Sequence, residues 1–178
     1  VDVVGLDTLV HVANGLYENC PNDEAHDLFQ LPDFISKMME NKWLGSKTGQ
    51  GFYKKEGKEI LSLDLNTLEY RASKKASFAT LELTKTIDKP IDRFKVLVKG
   101  KDKAGEFYRK NFAAMFAYCS NRIPEISDDF YKIDDAMKAG FGWENGPFEI
   151  WDAIGVEKGI ELMKAEGYEP AAWVNEML

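Results

Sequence analysis

Trp151-Asp152-Ala153-Ile154-Gly155-Val156-Glu157 echoes Val1-Asp2-Val3-Val4-Gly5-Leu6-Asp7, with Asp and Gly at identical spacing and the apolar positions retained. Further on, Pro170 followed by Trp173, Val174 and Met177 echoes Pro32 followed by Ile35, Ser36 and Met39. An ordered self-match of this kind marks a duplicated unit. It predicts a mainly α fold made of two related helical bundles. The first copy has no counterpart of Asp102 through Ile150, and the second stops before a counterpart of the stretch from Leu44 to Tyr53. Both termini are therefore expected to fall inside units, and the start at Val1, without an initiator Met, reads as a cut.

The flanking sequence fills in the helices. Leu6, Leu9, Val10, Ala13 and Leu16 recur at helical spacing and predict an amphipathic helix with one buried face over about Gly5 to Tyr17. Pro21 and Asn22 break it, a short helix is expected over Glu24 to Phe29, and Pro32 suits the first position of a helix ending near Asn41. Beyond the polar stretch from Ser73 to Lys101, which has room for two short helices, Asp102 is a good N-cap. It opens a long helix through Phe107, Phe112, Phe116 and Cys119, which Pro124 ends. Further helices are expected around Phe130 to Met137, after Gly146-Pro147, over Val156 to Ala165 and over Ala171 to Met177.

Leu44-Gly45-Ser46-Lys47-Thr48-Gly49-Gln50-Gly51-Phe52-Tyr53 interrupts this helical text with three glycines in seven residues, which implies turns or close backbone approach. Short alternating runs follow, and a turn at Asn66 predicts a small β-hairpin near residues 52–70. The domain boundaries expected from these signals are 1–72 for the remainder of the first repeat, with its glycine-rich loop and hairpin, 73–101 for a connecting segment, and 102–178 for a second, truncated repeat.

Composition narrows the partners. The 178 residues include 44% apolar and 12% aromatic side chains, ample for a buried core, and carry a formal charge of −7. The charges are interspersed, without a basic stripe able to neutralise a phosphate backbone, so nucleic acid is not an expected partner. Cys20 and Cys119 stand alone, with no metal-ligand spacing around them, and are read as reduced thiols. No membrane span or signal-peptide pattern is present, and a cytoplasmic location is the default expectation.

The loop Leu44-Gly45-x-Lys47-Thr48-Gly49-x-Gly51-Phe52-Tyr53, with Val4-Gly5-Leu6-Asp7-Thr8 upstream, resembles the signature of the C-terminal domain of 3-hydroxyacyl-CoA dehydrogenases. Ile133-Asp134-x-Ala136-Met137, Gly140, Gly146-Pro147-Phe148-Glu149 and Trp151-Asp152-x-Ile154-Gly155 resemble the corresponding helix-turn-helix in a second copy. Tandem copies of this domain are similar to those of the multifunctional bacterial β-oxidation proteins. The resemblance implies oxidation of an L-3-hydroxyacyl-CoA to the 3-ketoacyl-CoA, with hydride passing to NAD on an upstream Rossmann domain that this chain lacks. It also implies an acyl-CoA substrate and a downstream enoyl-CoA hydratase-like module.

The same resemblance implies that the chemistry lies elsewhere. Neither His11 nor His26 stands in the His-Phe-Phe-Asn-Pro context of the family's catalytic His, and no strand followed by G-x-G-x-x-G occurs. Asn121-Arg122 lies too close to Gly146-Pro147 to match the family's Asn-Arg pair, and Asn111 is followed by Phe112. No catalytic, cofactor-binding or metal-ligating residue is therefore expected. Lys47, Thr48, Gly49 and Gly51 are the candidate substrate-binding residues, Lys47 as a contact for a CoA phosphate.

Each of the remaining features has a plainer reading beside its functional one. An exposed lysine in a tight turn is ordinarily solvated, and the loop glycines serve backbone geometry. Phe141, Trp143, Phe148 and Trp151 line an acyl channel or, on the plainer reading, are core. Asp128-Asp129 and Asp134-Asp135 are expected to face water, and His11 to be a hydrogen-bonded structural residue. Two functions are carried forward: a substrate-pocket and association region of the dehydrogenase, inactive alone, or a purely structural helical docking or dimerisation module. A helical domain of a related β-hydroxyacid dehydrogenase acting on a sugar acid is a third reading.

Overall fold

A computed structural model describes all 178 residues, which form two compact units, Val1–Lys75 and Ala76–Leu178. The first unit opens with α1 (Leu6–Asn19), continues through a 3₁₀ turn (His26–Phe29) to α2 (Asp33–Glu40), and passes a second 3₁₀ turn (Ser46–Thr48) into β1 (Tyr53–Glu56), β2 (Glu59–Leu63) and β3 (Tyr70–Ala72). The expected single hairpin is instead a three-stranded antiparallel meander, in which Tyr53 faces Ser62 and Leu63 faces Tyr70. The extra strand arises because the turn at Gly57 lets β1 double back before the turn around Asn66 does the same.

The core of this unit is small. Leu6, Ile35, Met38 and Leu63 are buried together, with Val10, Phe34, Leu44 and Phe52 packed against them. Of the apolar face foreseen on α1, only Leu6 and Ala13 are buried, while Leu9, Val12 and Leu16 are exposed. Pro32 stands one position earlier than expected, as the N-cap of α2, where its missing N–H is equally harmless.

The second unit is helical throughout: α3 (Ala79–Thr84), α4 (Pro90–Leu97), α5 (Lys103–Asn121), α6 (Phe130–Phe141), α7 (Pro147–Ile154), α8 (Val156–Ala165) and α9 (Ala172–Glu176). Asp102 caps α5 by accepting the Gly105 N–H at 3.0 Å, and its other oxygen accepts the Thr80 N–H in the first turn of α3 at 2.9 Å. One carboxylate thus satisfies the orphan donors of two helices. Phe112, Ala113, Phe116, Ala117 and Ser120 form the buried stripe of α5 at three- and four-residue spacing.

Aromatic rings run through this core in sequence. Phe94 meets Phe112 at 5.5 Å between centroids, Phe112 meets Phe116 at 5.8 Å, and Phe116 stacks on Trp151 at 5.0 Å. Both tryptophans that enter the core satisfy their indole N–H, Trp151 on the Val156 carbonyl and Trp173 on the Ser120 carbonyl, each at 3.0 Å. Phe148 and Trp151 are core residues, whereas Phe141 is 77% exposed and Trp143 is 38% exposed, so the aromatic set foreseen as one channel or one core is divided. Phe141 lies at the last helical position of α6.

Candidate functional site

The glycine-rich loop is held by carboxylates that come from far away in sequence. Asp2 accepts the Phe52 N–H at 3.0 Å on one oxygen and the Tyr53 N–H at 2.8 Å on the other, and its carbonyl accepts the Ser46 N–H at 2.8 Å. A Cβ on Gly45 would run into the Asp2 backbone, and one on Gly51 would meet the Asp2 carboxylate at 2.6 Å. These two glycines are thus fixed by close approach. The Leu44 carbonyl in turn accepts the first N–H of α1, from Leu6, at 3.0 Å.

Inside the loop, Thr48 Oγ1 accepts the Leu44 N–H at 3.0 Å and lies 3.2 Å from both the Gly45 and Gln50 carbonyls. Its single proton serves one of the two at a time. Lys47 is not merely solvated: its Nζ meets both oxygens of Asp7, at 2.6 and 2.7 Å, with close to half of each side chain still exposed. That ammonium holds the Asp7 carboxyl below the usual carboxylate range. Gly49 sits at the exposed apex, in the left-handed region at φ 82°, with open space on its Cβ side. Of the four residues singled out from sequence, Lys47 and Gly49 face outward, while Thr48 and Gly51 are engaged inside the loop.

Tyr70 closes the loop from the sheet. Its hydroxyl donates to the Gly51 carbonyl at 2.6 Å, its ring packs on Trp43 at 5.6 Å, and burial, then the Asp2 charge, raises its pKa. Asp2 and Tyr70 have no assigned role on sequence alone, and Asp7 only that of an acidic residue suited to the first turn of α1, where it stands. The repeat marks Asp2 and Asp7 as matched positions, but the partners that give them a task lie forty to fifty residues on.

The expectation that Asp134 faces water is corrected. Asp134 is 4% exposed and accepts the Phe148 and Glu149 N–H groups at 2.8 and 3.0 Å. Gly146, the N-cap of α7, has no side chain to satisfy these donors, so the carboxylate of α6 does so in its place. Burial outweighs those two bonds and raises the Asp134 pKa. Its neighbour Asp135 is exposed and pairs with Lys138 at 3.3 Å. Asp129 also stays outside, against Lys132 at 2.8 Å.

The histidines differ from expectation in one case. His11 is exposed on α1 and makes no hydrogen bond. His26 stacks on Tyr17 at 4.1 Å, with Nε2 2.9 Å from the Tyr17 carbonyl. No three His, Cys, Asp or Glu side chains converge as metal ligands would. The single sheet is antiparallel and leads into no helix N-terminus of the kind that cradles a pyrophosphate, so these residues do not fit a nicotinamide dinucleotide.

Each unit carries a cavity. A cleft of about 550 Å³ in the first is walled by Val10, Leu31, Ile35 and Met39, with Tyr17 and Gln30 at its side. A groove of about 430 Å³ in the second runs between α6, α7 and α9 over Phe148 and Trp173.

The first unit has a counterpart among known proteins. A family model described as the C-terminal domain of 3-hydroxyacyl-CoA dehydrogenase matches residues 1–55, the stretch that contains Asp2, α1, α2 and the clamped loop. Residues 1–55 are similar to that domain of the 3-hydroxyacyl-CoA dehydrogenases. The whole chain is 43% identical over 178 residues to a Bacillus subtilis protein named "Probable 3-hydroxyacyl-CoA dehydrogenase", covering 100% of this chain and 22% of that protein. It is 27% identical over 178 residues to the fatty acid oxidation complex subunit alpha of Psychrobacter cryohalolentis, covering 94% of this chain and 21% of the relative. The same subunit of Acinetobacter baylyi is 29% identical over 180 residues, covering 91% and 20%. The chain thus spans about a fifth of the length of the curated relatives it matches. No solved structure matches it. The matched segment ends two residues after Tyr53, so β2 and β3 lie outside it.

Proposed function

We propose that this chain is the substrate-pocket and association region of an NAD-dependent L-3-hydroxyacyl-CoA dehydrogenase of fatty-acid β-oxidation, and that hydride and proton transfer are performed by a domain outside it. The observation that carries this reading is the match of residues 1–55 to the dehydrogenase C-terminal domain, reinforced by 43% identity over all 178 residues to a relative of that name. On this reading the chain is built of two related C-terminal-domain repeats, the first over 1–72 and the second over 102–178, joined by 73–101. NAD is bound by a Rossmann domain upstream, and a hydratase-like module is a further partner.

Within the chain, Lys47, Thr48, Gly49 and Gly51 form the substrate loop. Lys47 and Gly49 present the exposed surface, a cation and a bare backbone apex, to the phosphates of CoA, and Thr48 and Gly51 hold the shape behind them. The apolar cleft beside α1 and α2 supplies a wall for the acyl chain. The Asp7 carboxylate competes with the ligand for Lys47, which makes the reading testable. In the protein that carries this region together with its NAD-binding domain, Lys47→Gln is expected to raise KM for the acyl-CoA several-fold at unchanged kcat, more strongly at low ionic strength. Asp7→Asn is expected to lower it. A loop that served structure alone would respond to both substitutions in the same direction.

A second reading rests on one observation. Val3 is 90% exposed and Val4 68%, and Leu9, Val12 and Leu16 lie bare along α1. Those residues suit a docking surface. On that reading the first unit holds a neighbouring domain or subunit, and Val12→Asp abolishes association while leaving acyl-CoA affinity alone.

A further inference from the structure

Consecutive peptide units join the tip of the glycine-rich loop to the sheet, and each is hydrogen-bonded at both ends. Between Gln50 and Gly51 the carbonyl accepts the Gly45 N–H at 2.8 Å, and the N–H donates to the Tyr53 carbonyl at 3.0 Å. Between Phe52 and Tyr53 the carbonyl accepts the Leu63 N–H at 2.8 Å, and the N–H donates to Asp2 at 2.8 Å. The peptide between these two differs. Its carbonyl, on Gly51, accepts the Tyr70 hydroxyl at 2.6 Å, and its N–H, on Phe52, donates to the other Asp2 oxygen at 3.0 Å. Side chains alone decide which way this peptide faces.

The two partners are not interchangeable. An ionised carboxylate only accepts, so a reversed peptide would aim the Gly51 carbonyl at the Asp2 charge and take the Phe52 N–H from its acceptor. Glycine leaves the backbone on one side of this peptide free to rotate, so the orientation rests on those two bonds. Tyr70 is itself held in place: it pairs with Leu63 across β2 and β3, its ring packs on Trp43, and the Lys54 ammonium lies 5.5 Å from the ring centre. The clamped peptide lies at a joint. Gln50 bridges Gly45 on one side and Lys54 on the other, so residues 46–49 form a tip that turns on residues 51–53 against β1. Lys47 and Gly49 are on that tip. Two tethers, from the Ser46 N–H to the Asp2 carbonyl and from Lys47 to Asp7, tie it to the start of the unit, and the joint sets its angle to the sheet.

Resting on the reading of residues 47–51 as the substrate loop, we propose that Tyr70 is a positioning residue for acyl-CoA binding. With Asp2 it holds the Gly51–Phe52 peptide in one orientation, and so sets the direction in which Lys47 and Gly49 meet the phosphates of CoA. Tyr70 touches no ligand in this role. It stands in β3, beyond the residues 1–55 that are similar to the dehydrogenase domain, so the sheet takes part in binding. Burial raises the Tyr70 pKa and keeps the hydroxyl proton available to the Gly51 carbonyl well above neutral pH.

The test measures KM and kcat, in the protein that carries this region together with its NAD-binding domain, for Tyr70→Phe, Asp2→Asn, the two combined, and Lys47→Gln. Tyr70→Phe keeps the ring on Trp43 and removes the hydroxyl. KM for the acyl-CoA is expected to rise about threefold to tenfold, as loss of one hydrogen bond does, at unchanged kcat. Asp2→Asn supplies an amide that both donates and accepts, so it meets either face of the peptide and raises KM as well. Because both residues hold one peptide, the combined variant should raise KM by clearly less than the product of the two single effects. Full multiplication of the two effects overturns the shared clamp. A role confined to stability would lower the active fraction, and with it the apparent kcat, at constant KM, and that result also overturns the proposal. Wild-type KM in Tyr70→Phe beside a raised KM in Lys47→Gln overturns it while the substrate-loop reading stands. An unchanged KM in Lys47→Gln overturns that reading and this proposal with it.

Discussion

Asp134 and Glu149 lie in contact around the start of α7 yet are driven in opposite directions. Burial raises Asp134, while the Lys138 ammonium first and the Gly146 N–H second hold Glu149 below its ordinary value. A carboxyl-resolved NMR titration is expected to find Asp134 above the ordinary aspartate range and Glu149 below the ordinary glutamate range. The linkage follows from the signs. Glu149, depressed in the folded state, contributes stability above its unfolded value that is lost as pH falls through its folded value. Asp134, raised, favours the fold at low pH, and that contribution is lost as pH rises through its folded value. Asp134→Ala strands the Phe148 and Glu149 N–H groups and is expected to cost roughly 1–3 kcal/mol, readable as a lower denaturation midpoint. Burial likewise pushes the Cys119 thiol up to about 11, so at pH 8 a maleimide should modify Cys20 and leave Cys119 nearly untouched in the folded chain. Neither the Asp134 role nor the Glu149 role was legible from sequence. Asp134-Asp135 reads as a solvated pair on a helix, and only the fold brings a bare N-cap glycine from twelve residues away to give one of the two a task.

At the scale of elements, the sequence spoke clearly wherever a signal was local. Asp102 as N-cap, the stripe of α5 and Pro147 at the first position of α7 all rest on residues within one or two turns of each other, and the structure has them as read. The signals weakened where a neighbour decides. The periodicity of α1 could not say that only Leu6 and Ala13 would find cover, and the third strand depends on the return of the chain through Gly57. The loop belongs to both classes: its glycines announced close approach, but Asp2, which causes it, stands at the other end of the unit. Gly51→Ala is expected to push the Asp2 carboxylate away and destabilise the loop by about 1–3 kcal/mol, seen as faster hydrogen exchange at Phe52 and Tyr53. Exchange unchanged from the parent would refute the clamp.

For the molecule as a whole, the mainly helical class was legible from the spacing of large apolar residues, and the similarity to the dehydrogenase C-terminal domain from the ordered glycine, lysine and aromatic positions around residues 44–53. Each unit depends on its own small core. Phe116, fully buried between Phe112 and Trp151, is the centre of the second, and Phe116→Ala is expected to cost about 3–5 kcal/mol, with exchange accelerating across residues 76–178. Under the proposed division of labour, this chain shapes and holds an acyl thioester and its neighbours carry out the oxidation. The most direct test supplies L-3-hydroxyacyl-CoA and NAD to the purified chain and follows NADH formation by absorbance, alone and with the NAD-binding domain added back. No turnover by the chain alone, and saturable acyl-CoA-dependent turnover on recombination, is the predicted result. NADH formation by the chain by itself would contradict it.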